Sequence, residues 1–167
     1  MFKQIIFKII GAIGLITIVC NIGFAQIVDS TALNKISPKI GQCIYIESSG
    51  PGLLVSANYD ARFLKGNNGL GYRVGVGFFY LFDDFMFSLP AQINYLIGSK
   101  SKYLELGLGI TYASKTSIYN GLSTTSLLGF RYQPINGGFN FRIFISPLIN
   151  KQEFNPLWAG FSLGHTF

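Results

Sequence analysis

Residues 157–167 read LWAGFSLGHTF, and apolar side chains alternate in this stretch with small or polar ones. Positions 157, 159, 161, 163 and 167 carry Leu, Ala, Phe, Leu and Phe, whereas the even positions from 158 to 166 carry Trp, Gly, Ser, Gly and Thr. Successive side chains of a β-strand point to opposite faces of the sheet. The stretch therefore predicts a strand with one apolar face and one face of small or polar residues.

The composition of the whole chain also favours strands. Of the 167 residues, 49% are hydrophobic, 16% are aromatic and only 12% are charged, and 20 are glycine. Aromatic residues are enriched in strands, and glycine within a strand marks a close approach of neighbouring atoms. Because the chain is apolar for a soluble domain of this length, the location of its apolar faces becomes the main question.

The first 25 residues have the pattern of a secretory signal peptide. Lys3 and Lys8 precede an uncharged apolar segment at residues 9–19, and small residues lie where a signal peptidase would cleave after Ala25. A membrane-anchoring helix and lipoprotein processing at Cys20 are the alternatives.

Cleavage after residue 25 would leave a short periplasmic leader at residues 26–39 and one barrel domain at residues 40–167. Loss of two of the 13 basic residues leaves 11 beside 7 acidic ones, a net charge of +4. The basic residues are scattered and exported proteins do not meet nucleic acid, so we predict no nucleic-acid partner. Cys43 would be the one cysteine of the mature chain, which excludes an internal disulfide.

Eight segments of the mature chain alternate as strands do. They are residues 42–49, 53–65, 69–82, 85–98, 102–115, 124–133, 138–149 and 157–167. The connections are short and rich in turn-forming residues, and short connections join antiparallel neighbours. We therefore predict an all-β fold, an eight-stranded antiparallel up-and-down transmembrane β-barrel. Gly50-Pro51-Gly52 is open to a second interpretation, a kink within one long strand.

Three features favour lipid as the environment of the apolar faces, over the core of a soluble sandwich or lipocalin-like barrel. Most segments span 10–14 residues, which suits the ~9–11 residues that cross a bilayer with tilt. Aromatic residues concentrate near the segment ends, as interfacial girdles do. The opposite face carries Arg, Glu and Asp in mid-strand, where a sandwich would leave them facing water. We therefore predict a location in the cell outer membrane.

The inward face of this barrel would be charged. It would carry Glu47, Asp60, Arg62, Arg73, Glu105, Arg131 and Arg142, with Ser56, Asn58, Gln92, Asn94 and Asn140 beside them. Eight strands enclose only enough space for side chains, and buried charges must be paired. A hairpin centred between residues 66 and 67 would place Asp60 opposite Arg73. We hypothesise a lumenal ion-pair network that plugs the barrel; an ion path is the alternative.

The sequence offers little catalytic chemistry. His165 is the one histidine, and its parity places it on the outer face at the periplasmic rim, so no Ser-His-acid or Cys-His arrangement can be assembled. Asp83 and Asp84 form the one acidic pair, which offers too few ligands for a metal ion. We predict no catalytic residue, no cofactor and no metal, and hence that the chain is not an enzyme.

Five phrases together resemble a family of small outer-membrane β-barrel proteins from Bacteroidetes. They are LVSANYD (residues 54–60), NYLIG (94–98), YLELGLG (103–109), GFRYQP (129–134) and FSLGHTF (161–167). The resemblance implies a barrel in the outer membrane, and it implies no activity. His165 stands where the family usually has Tyr.

The function that these patterns predict is a small integral outer-membrane barrel with a plugged lumen and a non-enzymatic structural or surface-interaction role. The alternatives are a narrow channel for small solutes, a lipid-modifying barrel enzyme and a soluble periplasmic ligand-binding barrel. We expect a monomer in contact with outer-membrane lipid and lipopolysaccharide. The barrel-assembly machinery would read Phe161, Leu163 and Phe167 in the last strand.

Overall fold

A computed structural model describes residues 40–81, 84–114, 121–149, 154–155 and 158–167. The predicted signal peptide and leader, residues 1–25 and 26–39, lie outside the described residues. Those described contain no helix, and hence none long and apolar enough to span a membrane. They form the strands β1 (Ile40–Gly50), β2 (Leu53–Lys65), β3 (Gly69–Leu81), β4 (Asp84–Ser99), β5 (Lys102–Ala113), β6 (Gly121–Tyr132), β7 (Gly138–Ile145), β8 (Leu148–Ile149), β9 (Phe154–Asn155) and β10 (Ala159–Thr166).

The strands close into a barrel. Strands β1 to β7 pair in chain order, each antiparallel to the next, and β10 pairs antiparallel with both β7 and β1. The ring therefore has eight strands, β1 to β7 and β10, and the predicted eight-stranded antiparallel up-and-down barrel is confirmed. The two-residue strands β8 and β9 extend the sheet beside β6 at one end.

Burial alternates along the strands with a period of two. In β5, the leucines 104, 106 and 108 are exposed on the outer surface, whereas Tyr103, Glu105 and Thr111 are buried on the inner one. Since neighbouring strands are paired in register, residues of one parity form a continuous surface around the ring. The outer surface is apolar and the inner surface is polar, the reverse of an ordinary soluble domain.

The structure interrupts one expected segment and decides between the two interpretations of residues 50–52. The expected strand at residues 138–149 is interrupted at Ser146 and Pro147, because proline has no N–H for the ladder, and it resumes as β8. Gly50-Pro51-Gly52 is a turn between two strands and not a kink, because β1 and β2 pair along their length up to Gly50, which lies opposite Leu53. The pairing has one irregularity, between Ile40 and Gln42. This turn occupies one end of the barrel.

Candidate functional site

The lumen is the candidate site, and its two halves differ in chemistry. The half nearer the start of β1 holds most of the charged residues and is called the charged half here. Its members are Asp60, Arg62, Arg73, Glu105, Arg131 and Arg142, together with Glu47 at the boundary with the other half. The half nearer the turn at residues 50–53 holds mostly alcohols and is called the hydroxyl half; its members are Ser56, Ser88, Thr111, Ser123, Thr125 and Ser146. Each of these thirteen side chains belongs to a residue that is no more than 4% exposed.

Asp60 is the centre of the charged half. Its Oδ1 atom lies 2.8 Å from Nη2 of Arg62 on its own strand and 2.8 Å from Nη2 of Arg131 on β6. Its Oδ2 atom accepts a hydrogen bond from Nδ2 of Asn94 on β4 at 2.5 Å and lies 3.6 Å from Nη2 of Arg142 on β7. One carboxylate thus connects β2 with three other strands through the interior.

Glu105 is the second carboxylate of this network. Its Oε1 atom lies 3.5 Å from Nη1 of both Arg131 and Arg142, and it accepts a hydrogen bond from Nδ2 of Asn94 at 3.1 Å. Asn94 therefore joins the two carboxylates, and it also accepts a bond from Nη2 of Arg62 through its own Oδ1 atom. Because three arginines share these two carboxylates, loss of either carboxylate would increase the buried positive charge that has no counter-charge.

Glu47 and Arg73 form a separate ion pair where the two halves meet. Nη2 of Arg73 donates to Oε1 of Glu47 at 2.8 Å and to Oδ1 of Asn58 at 3.3 Å. Asp60 and Arg73 are cross-strand partners in the β2–β3 register, yet each forms its ion pairs with other residues. Their side chains reach along and across the narrow lumen, so register alone does not determine the partner.

Two residues that sequence reasoning did not assign to the site complete the charged half. The Tyr45 ring lies between two guanidinium groups, with Cζ of Arg142 at 3.8 Å and Cζ of Arg73 at 5.7 Å from its centroid, a cation–π arrangement. The sulfur of Cys43 accepts hydrogen bonds from Nη2 of Arg131 at 3.1 Å and Nη2 of Arg142 at 3.3 Å. Cys43 and Tyr45 share the strand parity of Glu47, and this parity was the available signal in the sequence.

An amide cluster closes the lumen at the start of β1. Asn67, in the turn between β2 and β3, is 6% exposed and accepts a hydrogen bond from Nε2 of Gln133 at 3.0 Å. Its own Nδ2 donates to the carbonyl oxygen of Gln133 at 3.2 Å, and Asn140 donates to Oε1 of Gln133 at 3.5 Å. The sequence indicated only turn chemistry for Asn67, because a turn residue has no strand parity that predicts its direction.

The turn between β1 and β2 closes the other end by folding into the hydroxyl half. Oγ1 of Thr111 donates to the carbonyl oxygen of Pro51 at 2.5 Å, and Oγ of Ser88 donates to that of Gly52 at 2.8 Å. The Gly52 N–H donates to Oε1 of Glu47 at 3.3 Å. Leu53 shares the parity of the exposed Val55 but is buried, and its φ of 71° is left-handed. It packs in an apolar cluster with Met86, Ala113 and Leu148.

The remaining predicted site residues lie on the outer surface. Phe161, Leu163 and Phe167 are 41–51% exposed and project outward. His165 is exposed on the same face of β10, between Ile44 of β1 and Phe139 of β7. Among the described residues, no group of three or more His, Cys, Asp or Glu side chains could hold a metal ion. Asp83 lies outside the described residues, and Asp84 begins β4.

Comparison with known proteins finds similarity among solved structures and none among family models or curated proteins. The outer membrane enzyme PagL aligns with 76% of this chain and 98% of its own, at 13% sequence identity and a TM-score of 0.46. This finding contradicts the prediction that the chain is not an enzyme. The exclusion of catalysis rested on the lack of a triad that could be assembled from the sequence, and that lack does not rule out an enzyme.

Proposed function

We propose that this protein is an integral β-barrel of the outer membrane with a lumen closed to solutes. The observation that carries the proposal is the belt of large apolar side chains on the outer surface. Ile93 and Leu108 in mid-strand are 56% and 64% exposed, Phe78 nearer the end of β3 is 55% exposed, and many other apolar residues accompany them around the ring.

Such a surface is suited to lipid and not to water. Soluble proteins rarely expose contiguous apolar patches larger than a few hundred square ångströms, roughly 300–600 Å² at most. The first six strands have 11 to 16 residues each, enough for the ~9–11 residues that cross a bilayer. Outer-membrane lipid and lipopolysaccharide are therefore the partners that we propose for this surface.

The burial of the charged side chains supports the proposal that the lumen is closed. The seven charged residues of the charged half are each no more than 2% exposed, so they contact protein atoms over nearly their whole surface. The amide cluster and the turn at residues 50–53 close the two ends. A narrow channel, the alternative function, would need the charged side chains, the amide cluster and the turn to move apart.

The connections favour one orientation. Those at residues 66–68, 100–101 and 133–137 are all tight. At the opposite end, residues 114–120 and 150–158 give the two longest connections, beside short ones at residues 51–52 and 82–83. Outer-membrane barrels have short periplasmic turns and longer outer loops. We therefore propose that β1 begins at the periplasmic side. The barrel acts as a monomer, and its last strand, with Phe161, Leu163 and Phe167, is read by the barrel-assembly machinery. Membership of the Bacteroidetes-type family stays a prediction.

The proposal is tested by placing a charge on the outer surface. Leu108→Arg, in the middle of β5, should lower the free energy of unfolding in lipid vesicles by about 2–4 kcal/mol if the residue faces hydrocarbon. The matched control is Leu64→Arg, near the end of β2, which should cost roughly 0–1 kcal/mol. Urea titration of the reconstituted proteins, followed by the compact band that unboiled barrels show on a gel, measures both.

Two outcomes would contradict the proposal. Recovery of the protein in the aqueous wash of cell membranes, with both arginine variants as stable as the parent, would indicate a soluble barrel. Stepwise conductance of the parent protein in planar bilayers would show that the lumen is open and would favour the channel.

A further inference from the structure

The turn at residues 50–53 crosses the lumen instead of standing clear of the barrel. It connects β1 with β2, and Thr111, which binds its Pro51 carbonyl, is on β5, the strand opposite β1 in the ring of eight. Ser88, which binds the Gly52 carbonyl, is on β4. Pro51 and Gly52 are buried, and Gly52 is packed so closely that a Cβ there would collide with Ser56. The turn is thus a transverse cover over the hydroxyl half.

Both ends of the turn have a disfavoured backbone conformation. Ser49 has φ of 54° and Leu53 has φ of 71°, in the left-handed region where Cβ crowds the backbone of any residue other than glycine. Two such residues flank one short turn, and strained conformations of this kind cluster at switch regions and ligand clamps. The turn is held in place by three hydrogen bonds that involve side chains, by the pairing of Gly50 with Leu53 and by the packing of Leu53.

We propose that the turn at residues 50–53 is a hinged lid that opens at Ser49 and Leu53 and admits solvent to the hydroxyl half. The movement breaks the bonds from Thr111 and Ser88 and the bond from the Gly52 amide to Glu47. The lid uncovers a vestibule and not a through-pore, because the charged half beneath it stays filled. The vestibule is lined by neutral hydroxyl groups, among them Ser123, the cross-strand partner of Thr111.

Thiol labelling of a lumenal reporter tests the lid. Ser123→Cys places a thiol beneath it, and a small methanethiosulfonate reagent is added to the folded barrel in detergent micelles, so the result does not depend on the proposed location. Cys43 is left in place because two arginines bind its sulfur. The parent protein, which has Ser123, therefore measures the background labelling of Cys43. In the reporter background, Thr111→Val removes one lid bond and should raise the labelling rate about fivefold, the equivalent of one net hydrogen bond.

Two further variants make the result specific. Thr125→Val is the matched control. Thr125 also lies beside the reporter, and its substitution also removes a buried hydroxyl, but that hydroxyl binds Gln92 and not the lid. The labelling rate of the reporter should therefore not change. Ser49→Gly favours the closed turn and should lower the rate about threefold. Folding of each variant is checked by its migration before heating. A Thr111→Val rate equal to that of the reporter alone would overturn the proposal, as would a reporter that is labelled as fast as unfolded protein.

Discussion

The charged half of the lumen is held by ion pairs that share partners, whereas the hydroxyl half is held by single neutral hydrogen bonds and an apolar cluster. In the charged half, Asp60 alone is within 3.6 Å of three guanidinium groups. In the hydroxyl half, Thr125 receives one bond, from Nε2 of Gln92 at 2.9 Å. Removal of a neutral partner leaves one unpaired dipole, but removal of a shared carboxylate leaves several buried cations, so the two halves differ in their tolerance of substitution.

The largest effect is expected for Asp60→Ala. Three arginines lose a carboxylate that they share, and loss of one partner of a buried ion pair costs about 3–5 kcal/mol, so we expect a loss of about 4–5 kcal/mol in urea unfolding and a lower thermal midpoint. If the variant conducted ions in planar bilayers without loss of stability, the network would be an ion path and not a plug.

A smaller effect is expected for Glu47→Gln. Arg73 keeps a hydrogen-bond acceptor of the same shape but loses its counter-charge, and we expect a cost of about 1.5–3 kcal/mol. The double variant Glu47→Met with Arg73→Met removes both charges and should be closer to the parent than the single variant is. A double variant less stable than Glu47→Gln would show that this pair contributes more than its apolar replacement.

The smallest effect is expected in the hydroxyl half. Thr125→Val keeps the side-chain volume and removes the one bond from Gln92, at a cost of about 1 kcal/mol in the same unfolding titration. A loss as large as that of Asp60→Ala would erase the distinction between the two halves of the lumen.

Strand alternation is sufficient to place a side chain inside or outside, since one face of every strand meets the lumen. It predicted the closed all-β ring and the strand at residues 53–65 with the bounds that the structure has. It could not predict which charges pair, because the choice depends on the stagger of strands and on side-chain reach: Arg73 is opposite Asp60 but pairs with Glu47. It also could not predict the inward fold of residues 50–53, where left-handed residues break the alternation.

Closure of the ring by β10 has a consequence for the timing of folding. β10 is the last strand in the chain and supplies the partner for both β1 and β7, so both strands keep an unpaired edge until it has been synthesised. An unpaired strand edge is a template for aggregation, and pairing of segments more than a hundred residues apart, such as Cys43 with Thr166, is slow. We therefore expect the ring to close late in folding, when β10 pairs with β1 and β7.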